Sequence, residues 1–417
     1  MSPAFLYENM TEKIVPNKSI PAGKALLFLT IILGCLNMLG PIGIDMFLAG
    51  VPNIAEGLGT TPNRVIASIS TVMLGNAVGQ LVLGPLSDRF GRKPIILLTL
   101  IIFAGSALAS GLSPSIEYLI IWRFIQGLAI SSGRILAAAV ARDLFDRERL
   151  GKMMADILFV TALATIMFPI IGGQIAQHLP WQWLFLTMAL FGAVVFMLFT
   201  LFYRETLEQR NPQAIRPGYL LVKWLATIRN PVFVRYVLCS SCSMAGFGAF
   251  LGTSPTVLRG AFGVSAVTYG FLFSIIAGFF LIATFIGGRF ILVIGQQRLI
   301  AIGVLTMLVG GIVLTALAII DVRQPLAVIM PSAFYVLGLG LVFPQTNSLA
   351  LQPFPQSAGT AASLMGFITN LVSAGVVVLL AAMTHTTAIN LAVAILLSGL
   401  LACLTYFVII RPAEVSR

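Results

Sequence analysis

The chain has 417 residues, 58% of them hydrophobic and 9% charged, against about 45–50% apolar residues in soluble domains, so the composition is that of a membrane protein. A formal net charge of +11 signals a nucleic-acid partner only where basic residues gather on one soluble face. Here they are scattered between apolar runs, and the expected surroundings are a lipid bilayer, with no nucleic acid.

Twelve runs approach or exceed the roughly 20 residues that a spanning helix needs: 25–50, 65–86, 94–111, 116–141, 152–177, 182–203, 232–254, 267–290, 298–320, 325–350, 360–383 and 387–410. The segment before them, 1–24, holds Glu8, Glu12 and Pro16 and lacks an apolar core with a small-residue cleavage site, so it does not read as a signal peptide. Span 1 contains "NMLGPIGIDMFLAG", which places Asp45 near the outer third of the helix. An ionisable side chain inside a span is costly and marks a functional site by default. Gly40, Pro41 and Gly43 directly before it predict a helix break that frees carbonyls toward a cavity. Span 2 carries Asn76 and Gln80 and ends in "GPLSDRFGRKP", where Gly84, Asp88, Arg89, Gly91, Arg92 and Lys93 crowd one short turn.

Span 4 carries Arg123 and Arg134. Eleven residues at about 100° each return to within about 20° of the starting direction, so both lie on one stripe. Arg123 falls at the depth of Asp45, and Arg134 about 16 Å deeper. Asp45 and Arg123 are therefore candidate partners for proton coupling, and Arg134 is a candidate cavity residue. Asp156, early in span 5, lies at a depth Arg134 can reach, although its helical face continues as Val160, Leu163 and Met167. The plainer reading of each charge is a paired ion that fixes helix packing.

Residues 204–230 form the long polar stretch that divides the chain into a first half, 25–203, and a second, 231–410, with 411–417 as a tail. Pro212 and Pro217 argue against one continuous helix there, while Tyr219 to Ile228 can lie amphipathically on the membrane surface. In the second half, "GGRFILVIGQQR" after span 8 keeps Gly287, Gly288, Arg289, Gly295 and Arg298 in the place of the charged turn but has no acidic residue. A weak internal repeat of this kind is common in transporters, so the expected fold is all-α, with twelve transmembrane helices in two pseudo-symmetric six-helix bundles. Cys35, Cys239, Cys242 and Cys403 all fall inside spans, without the His or second cysteine pair of a zinc site. No metal and no cofactor is expected. His178 and His385 fall at outer helix ends, and no Ser, His and Asp constellation points to an enzyme.

With the N-terminus inside, cytoplasmic segments hold 20 of the 25 Lys and Arg and outer segments only Arg64, Arg259 and Arg323. That asymmetry places both termini in the cytoplasm. Polar candidates for the lining of a central cavity are Asn37, Asp45, Asn76, Gln80, Ser131, Arg134, Asp156, Gln345, Asn347 and Asn370, with Phe247, Phe250, Phe334, Tyr335, Phe343 and Phe367 as an apolar wall. No Lys, Arg, Asp or Glu stands in the middle of a second-half span, which favours a neutral or weakly polar small-molecule substrate.

"GPLSDRFGRKP" resembles the signature loop of the major facilitator superfamily, supplying Gly84, Leu86, Asp88, Arg89, Gly91, Arg92 and Lys93 in order, and "RFIQG" resembles the family's second motif, with Arg123, Gln126 and Gly127. More narrowly, "GIDMFLAGVP", "WQWLF" and "FPQSAGTAASLMGF" are similar to the bicyclomycin and chloramphenicol resistance exporters. The resemblance covers about residues 25–410. It implies a monomeric drug/proton antiporter of the bacterial inner membrane, driven by the proton gradient, with two bundles that rock around a central cavity. It also implies that the charged turn is a cytoplasmic latch: Asp88 takes the N-terminus of span 11 near Ala358 to Thr360, Arg92 pairs with Asp143, and Gly84 and Gly91 allow close approach and a tight turn. In "ATIMFPIIGG" the exporters' glycine-rich motif keeps Pro169, Gly172 and Gly173 as a helix break, with Phe168 and Ala164 in the place of two glycines, so reduced backbone packing is expected there. The nearest alternative is an importer or exporter of a metabolite such as a siderophore. A sensor or membrane-embedded enzyme on the same fold is the alternative from another class.

Overall fold

The computed structural model describes residues 24–145, 147–355, 357–383 and 387–410. The segment before Lys24, His385 and the tail from residue 411 lie outside the described residues. Among the described residues the regular structure is all helical, with no strand. Span 1 comprises α1 (Lys24–Asn37) and α2 (Leu39–Leu48), followed by the short α3 (Val51–Gly57). Then come α4 (Pro62–Phe90), α5 (Arg92–Gly111), α6 (Ile116–Leu144), α7 (Arg147–His178) and α8 (Gln182–Phe202), followed by the linker helix α9 (Pro217–Ile228). The second half holds α10 (Pro231–Ser254), α11 (Ala266–Ile294), α12 (Gln296–Ile319), α13 (Pro325–Leu351), α14 (Ala358–Ala381) and α15 (Ala388–Leu404). Eleven of these are each long and apolar enough to cross a membrane, and the bent pair α1–α2 makes twelve. The end that carries the α4–α5 turn is termed inner, after the charge distribution, and the opposite end outer.

The bend of 44° in span 1 falls between Asn37 and Leu39, one turn before Pro41. Proline has no N–H to offer the carbonyl of residue 37 and crowds the preceding turn, so the break lies upstream of the proline and Pro41 itself stands inside α2. Pro169 likewise sits within a continuous α7, where a break was expected.

Small residues set the closest helix contacts. A Cβ at Gly127 of α6 would collide with the Val72 carbonyl of α4, and one at Gly75 of α4 with the Phe124 carbonyl of α6. Side chains cannot intervene there, so the two backbones touch. The halves meet along two seams, α4 against α14 and α7 against α11. At the second seam a Cβ at Gly173 would strike the Ala266 carbonyl, and one at Gly172 the Met46 carbonyl of α2. The reduced packing expected around Pro169 is therefore corrected: the two remaining glycines face opposite neighbours and bring both into backbone contact.

The repeat that is faint in sequence is plain in the backbone. Gly91 between α4 and α5 has φ 108° and ψ 157°, and Gly295 between α11 and α12 has φ 83° and ψ 149°. Both are conformations that only glycine adopts readily. Linker helix α9 starts at Pro217, a favoured first helical position. It exposes Leu221, Val222, Leu225 and Ile228, an apolar stripe suited to the membrane surface.

Candidate functional site

A cavity of about 270 Å³ lies between the halves. Phe247, Phe273, Phe280 and Phe343 wall it from the second half, Asp45 of α2 and Thr165 of α7 face it from the first, and Asn370 of α14 is a further polar lining group. Asp45 is the one charged residue among those that line it. Its residue surface is 8% exposed, and no hydrogen bond or ion pair of its carboxylate is found among the described residues.

Arg123 was expected beside Asp45 and is not paired with it. The guanidinium, 0% exposed, donates from Nη1 to the Gly43 carbonyl at 2.7 Å and to Gln126 Oε1 at 2.6 Å, and it stacks 4.3 Å from the Phe47 ring centroid. Positions 43 and 47 are one turn apart on the same face of α2, and 45 lies about 200° around from 43. The face that holds Arg123 is thus opposite the one that carries Asp45. Nε and Nη2 of Arg123 have no hydrogen-bond partner.

Arg134 is exposed at the inner side of the cavity. It crosses between the halves, donating from Nη2 to Asn347 Oδ1 at 3.3 Å and lying 5.6 Å from the ring centroid of Phe343. Asn370 accepts from Asn76 Nδ2 at 3.4 Å, linking α4 and α14.

Several expected cavity residues lie elsewhere, among them Phe334, which is exposed on the surface. Asn37 donates to Thr161 Oγ1 at 2.9 Å and so joins the α1–α2 break to α7. Phe250 is buried against Phe273, and Tyr335 is buried with its hydroxyl donating to the Ser243 carbonyl at 2.9 Å. Asp156 shares its α7 face with the exposed Leu163 and Met167, while Thr165, about 180° around, faces the cavity. Asp156 therefore points away from it and has no ion pair with Arg134 among the described residues. The missed lining residues, Thr165, Phe273 and Phe280, carry no charge, and only helix rotation distinguishes them from their lipid-facing neighbours.

At the inner end a second cavity of about 360 Å³ separates the charged turn from α14. Arg92, 7% exposed, donates from Nε to Asp143 Oδ2 at 2.9 Å and from Nη1 to Asp88 Oδ1 at 2.5 Å and Ser87 Oγ at 2.6 Å. Asp88 is thus held within its own turn and makes no hydrogen bond to α14 among the described residues, contrary to the capping expected of it. A Cβ on Gly84 would meet nothing nearer than Ser363 Oγ at 3.7 Å, so no close approach occurs there either. Glu205, which no sequence pattern marks, caps α5: its two carboxylate oxygens accept from the Arg92 and Lys93 backbone N–H groups at 3.0 and 3.1 Å. Lys93 in turn donates to the Thr200 and Tyr203 carbonyls at the end of α8, at 3.1 and 2.6 Å. An anion at a helix start and a cation at a helix end each complement the helix dipole. Arg89 lies over the Phe90 ring, 5.3 Å from its centroid.

Residues 33–377 match the family model described as Major Facilitator Superfamily. The chain is 32% identical to the MFS-type transporter YdgK of Bacillus subtilis, over 93% of this chain and 96% of that protein. It is also 32% identical to a bicyclomycin resistance protein homolog of Haemophilus influenzae, over 88% and 92%, and 27% identical to the multidrug resistance protein MdtL of Klebsiella pneumoniae, over 92% and 95%. Among solved structures, a D-xylose-proton symporter superposes with a TM-score of 0.74 at 17% identity, covering 92% of this chain and 97% of its own. At that identity the likeness concerns the fold, which agrees with the twelve-span, two-half arrangement described above. The chain belongs to the major facilitator superfamily, a family of multi-pass membrane transporters and not of enzymes.

Proposed function

We propose that the protein is a proton-coupled antiporter that exports small, mostly neutral or apolar organic compounds, of the kind represented by amphenicols and bicyclomycin, across a bacterial inner membrane. In this reading it works as a monomer without a cofactor, and both termini face the cytoplasm. The observation that carries the reading is the placement of one carboxylate, Asp45, as the single charged lining residue of a mostly apolar, aromatic-walled cavity between two half-bundles. The drug-resistance names of two relatives support the export of toxic compounds.

Burial disfavours the charged form of a carboxylate, and water restores it. A cavity that opens alternately to each side therefore alternately dries and wets Asp45, which takes a proton on one side and gives it up on the other. Arg123 acts behind it. Its positive charge is fixed to the backbone of the helix that bears Asp45, and its free Nε and Nη2 groups offer the carboxylate a partner when α2 rotates at its break. A membrane potential worth about 2.3 kcal/mol per charge per 100 mV sustains roughly fortyfold accumulation of a neutral solute per proton exchanged. One proton is therefore enough. The aromatic wall receives the apolar body of the substrate, and Arg134 with Asn347 stands at the entry from the inner side.

In proteoliposomes, Asp45→Asn is expected to abolish compound-driven proton movement while the detergent-extracted protein stays monodisperse. A monodisperse mutant with unaltered coupling contradicts the assignment.

A further inference from the structure

The outer end of the molecule is held shut by a residue that the charge pattern places in an ordinary loop. Beyond α10 the chain continues as a π-helical segment, Pro255–Ala261. Such widened turns often re-aim side chains at functional positions. From here Arg259 crosses to the first half. Its Nη1 donates to the Ala49 carbonyl and, at 2.7 Å, to Asn53 Oδ1. Ala49 stands at the joint between α2 and α3, one turn beyond Asp45. Asn53 is a hub: its Nδ2 donates to the Ala176 carbonyl of α7 at 3.1 Å, so a single amide joins α3, α7 and Arg259.

We infer that Arg259 is the outer gate of the transport cycle, a positioning residue that fastens the helix bearing Asp45 to the opposite half and must let go before the cavity can open outward. The inference rests on the alternating-access reading above.

Two features fit a gate better than a permanent strut. No carboxylate pairs with Arg259 among the described residues, and its Nε is buried without a hydrogen-bond partner. A half-buried cation held by neutral acceptors, with one buried donor unsatisfied, regains that hydrogen bond when water enters. The lock is therefore strong enough to close and weak enough to release. The neighbouring cross-links are slighter: the Ala266 backbone N–H donates to Gln177 Oε1 at 3.2 Å, and Asn63 Nδ2 to the Met383 carbonyl at 2.9 Å. Of the three, only Arg259 places a full charge across the seam. The base of the π segment is itself anchored, since the Ser254 and Tyr269 hydroxyls meet at 2.9 Å in the buried core, so loss of the Arg259 bonds need not unravel it.

The test is a pair of distance measurements on the full chain in lipid nanodiscs, without substrate or proton gradient, by pulsed electron resonance in a background with the four native cysteines replaced by alanine. One spin-label pair at Glu56→Cys and Ala261→Cys reports the outer ends. A second, at Lys152→Cys and Leu292→Cys, reports the inner ends. Arg259→Ala is expected to raise the population with separated outer ends at least threefold and to shorten the inner distance reciprocally. Asn53→Ala, which keeps the Ala49 contact, should shift it less, and Arg259→Lys should largely restore the closed distribution. Unchanged distributions in folded Arg259→Ala overturn the inference. So does a broadened outer distance with no inner response, since that is local fraying. If Arg259→Ala fails to fold, Asn53→Ala decides: reciprocal shifts support the gate and their absence overturns it. Because neither substrate nor proton enters the measurement, failure of the antiport reading at Asp45 leaves this outcome unaffected, and the reverse also holds.

Discussion

Arg123 is a fully buried guanidinium that leans on backbone and aromatic rings instead of a carboxylate. Together with Asp45 it was legible in the sequence, because a charge in an apolar run is conspicuous whatever the fold. That the two turn away from each other was not legible, because it depends on the helical phase after the break at Met38, and one residue of phase moves a side chain by about 100°. The aromatic wall was hidden for the same reason: with 29 Phe in the chain, only rotation about α11 separates Phe273 and Phe280, which face the cavity, from Phe285 and Phe290, which are exposed on the surface. Arg92 permits a prediction at this scale. Its removal takes from Asp88 and Asp143 the guanidinium that joins them. Because the Asp88 side chain is half exposed, the expected destabilisation is about 1–3 kcal/mol, below that of breaking a fully buried pair. Thermal denaturation of detergent-solubilised Arg92→Ala checks this; a melting temperature equal to that of the wild type counts against the pair as a structural element.

Among the elements, α4 and α6 owe their contact to glycines, and the consequence can be tested by contrast. At Gly127 an added methyl meets backbone that cannot yield, so Gly127→Ala should cost about 1–3 kcal/mol through overpacking. At Gly105 of α5 a Cβ finds nothing within 4 Å, and Gly105→Ala should melt with the wild type. Equal melting temperatures for the two mutants contradict the packing account. Span existence was legible here because length and hydropathy suffice for it. Helix faces were less legible: the run of Val160, Leu163 and Met167 on the face of Asp156 hinted at its outward direction without removing it from the cavity candidates, and nothing local announced that Glu205, more than 100 positions away, caps α5. Long-range capping leaves no periodic trace.

At the scale of the molecule, the outer seam is bridged by Arg259, Gln177 and Asn63 while the inner ends enclose the larger cavity, and Asp88 faces it without reaching α14. The latch is therefore formed within the turn and unfastened from the other half. The N-cap Ser357 of α14 makes no side-chain capping bond, and on the proposed transport cycle closure of the inner ends brings Asp88 to that helix start. Asp88→Asn should accordingly slow turnover severalfold while leaving substrate affinity unchanged, as read from transport rates and equilibrium binding on the same preparation; wild-type turnover contradicts the latch. The two-half plan was legible from the polar stretch at 204–230. Which seam is open was not, since one sequence encodes every state of the cycle.

The central claim is that Asp45 couples proton movement to the passage of a compound through the apolar cavity. It is tested most directly by imposing a pH gradient on proteoliposomes and adding neutral, cationic and anionic compounds in turn. The account predicts that neutral, mostly apolar compounds dissipate the gradient through the wild-type protein and not through Asp45→Asn. Dissipation that persists in folded Asp45→Asn, or its absence with every compound in folded wild-type protein, contradicts it.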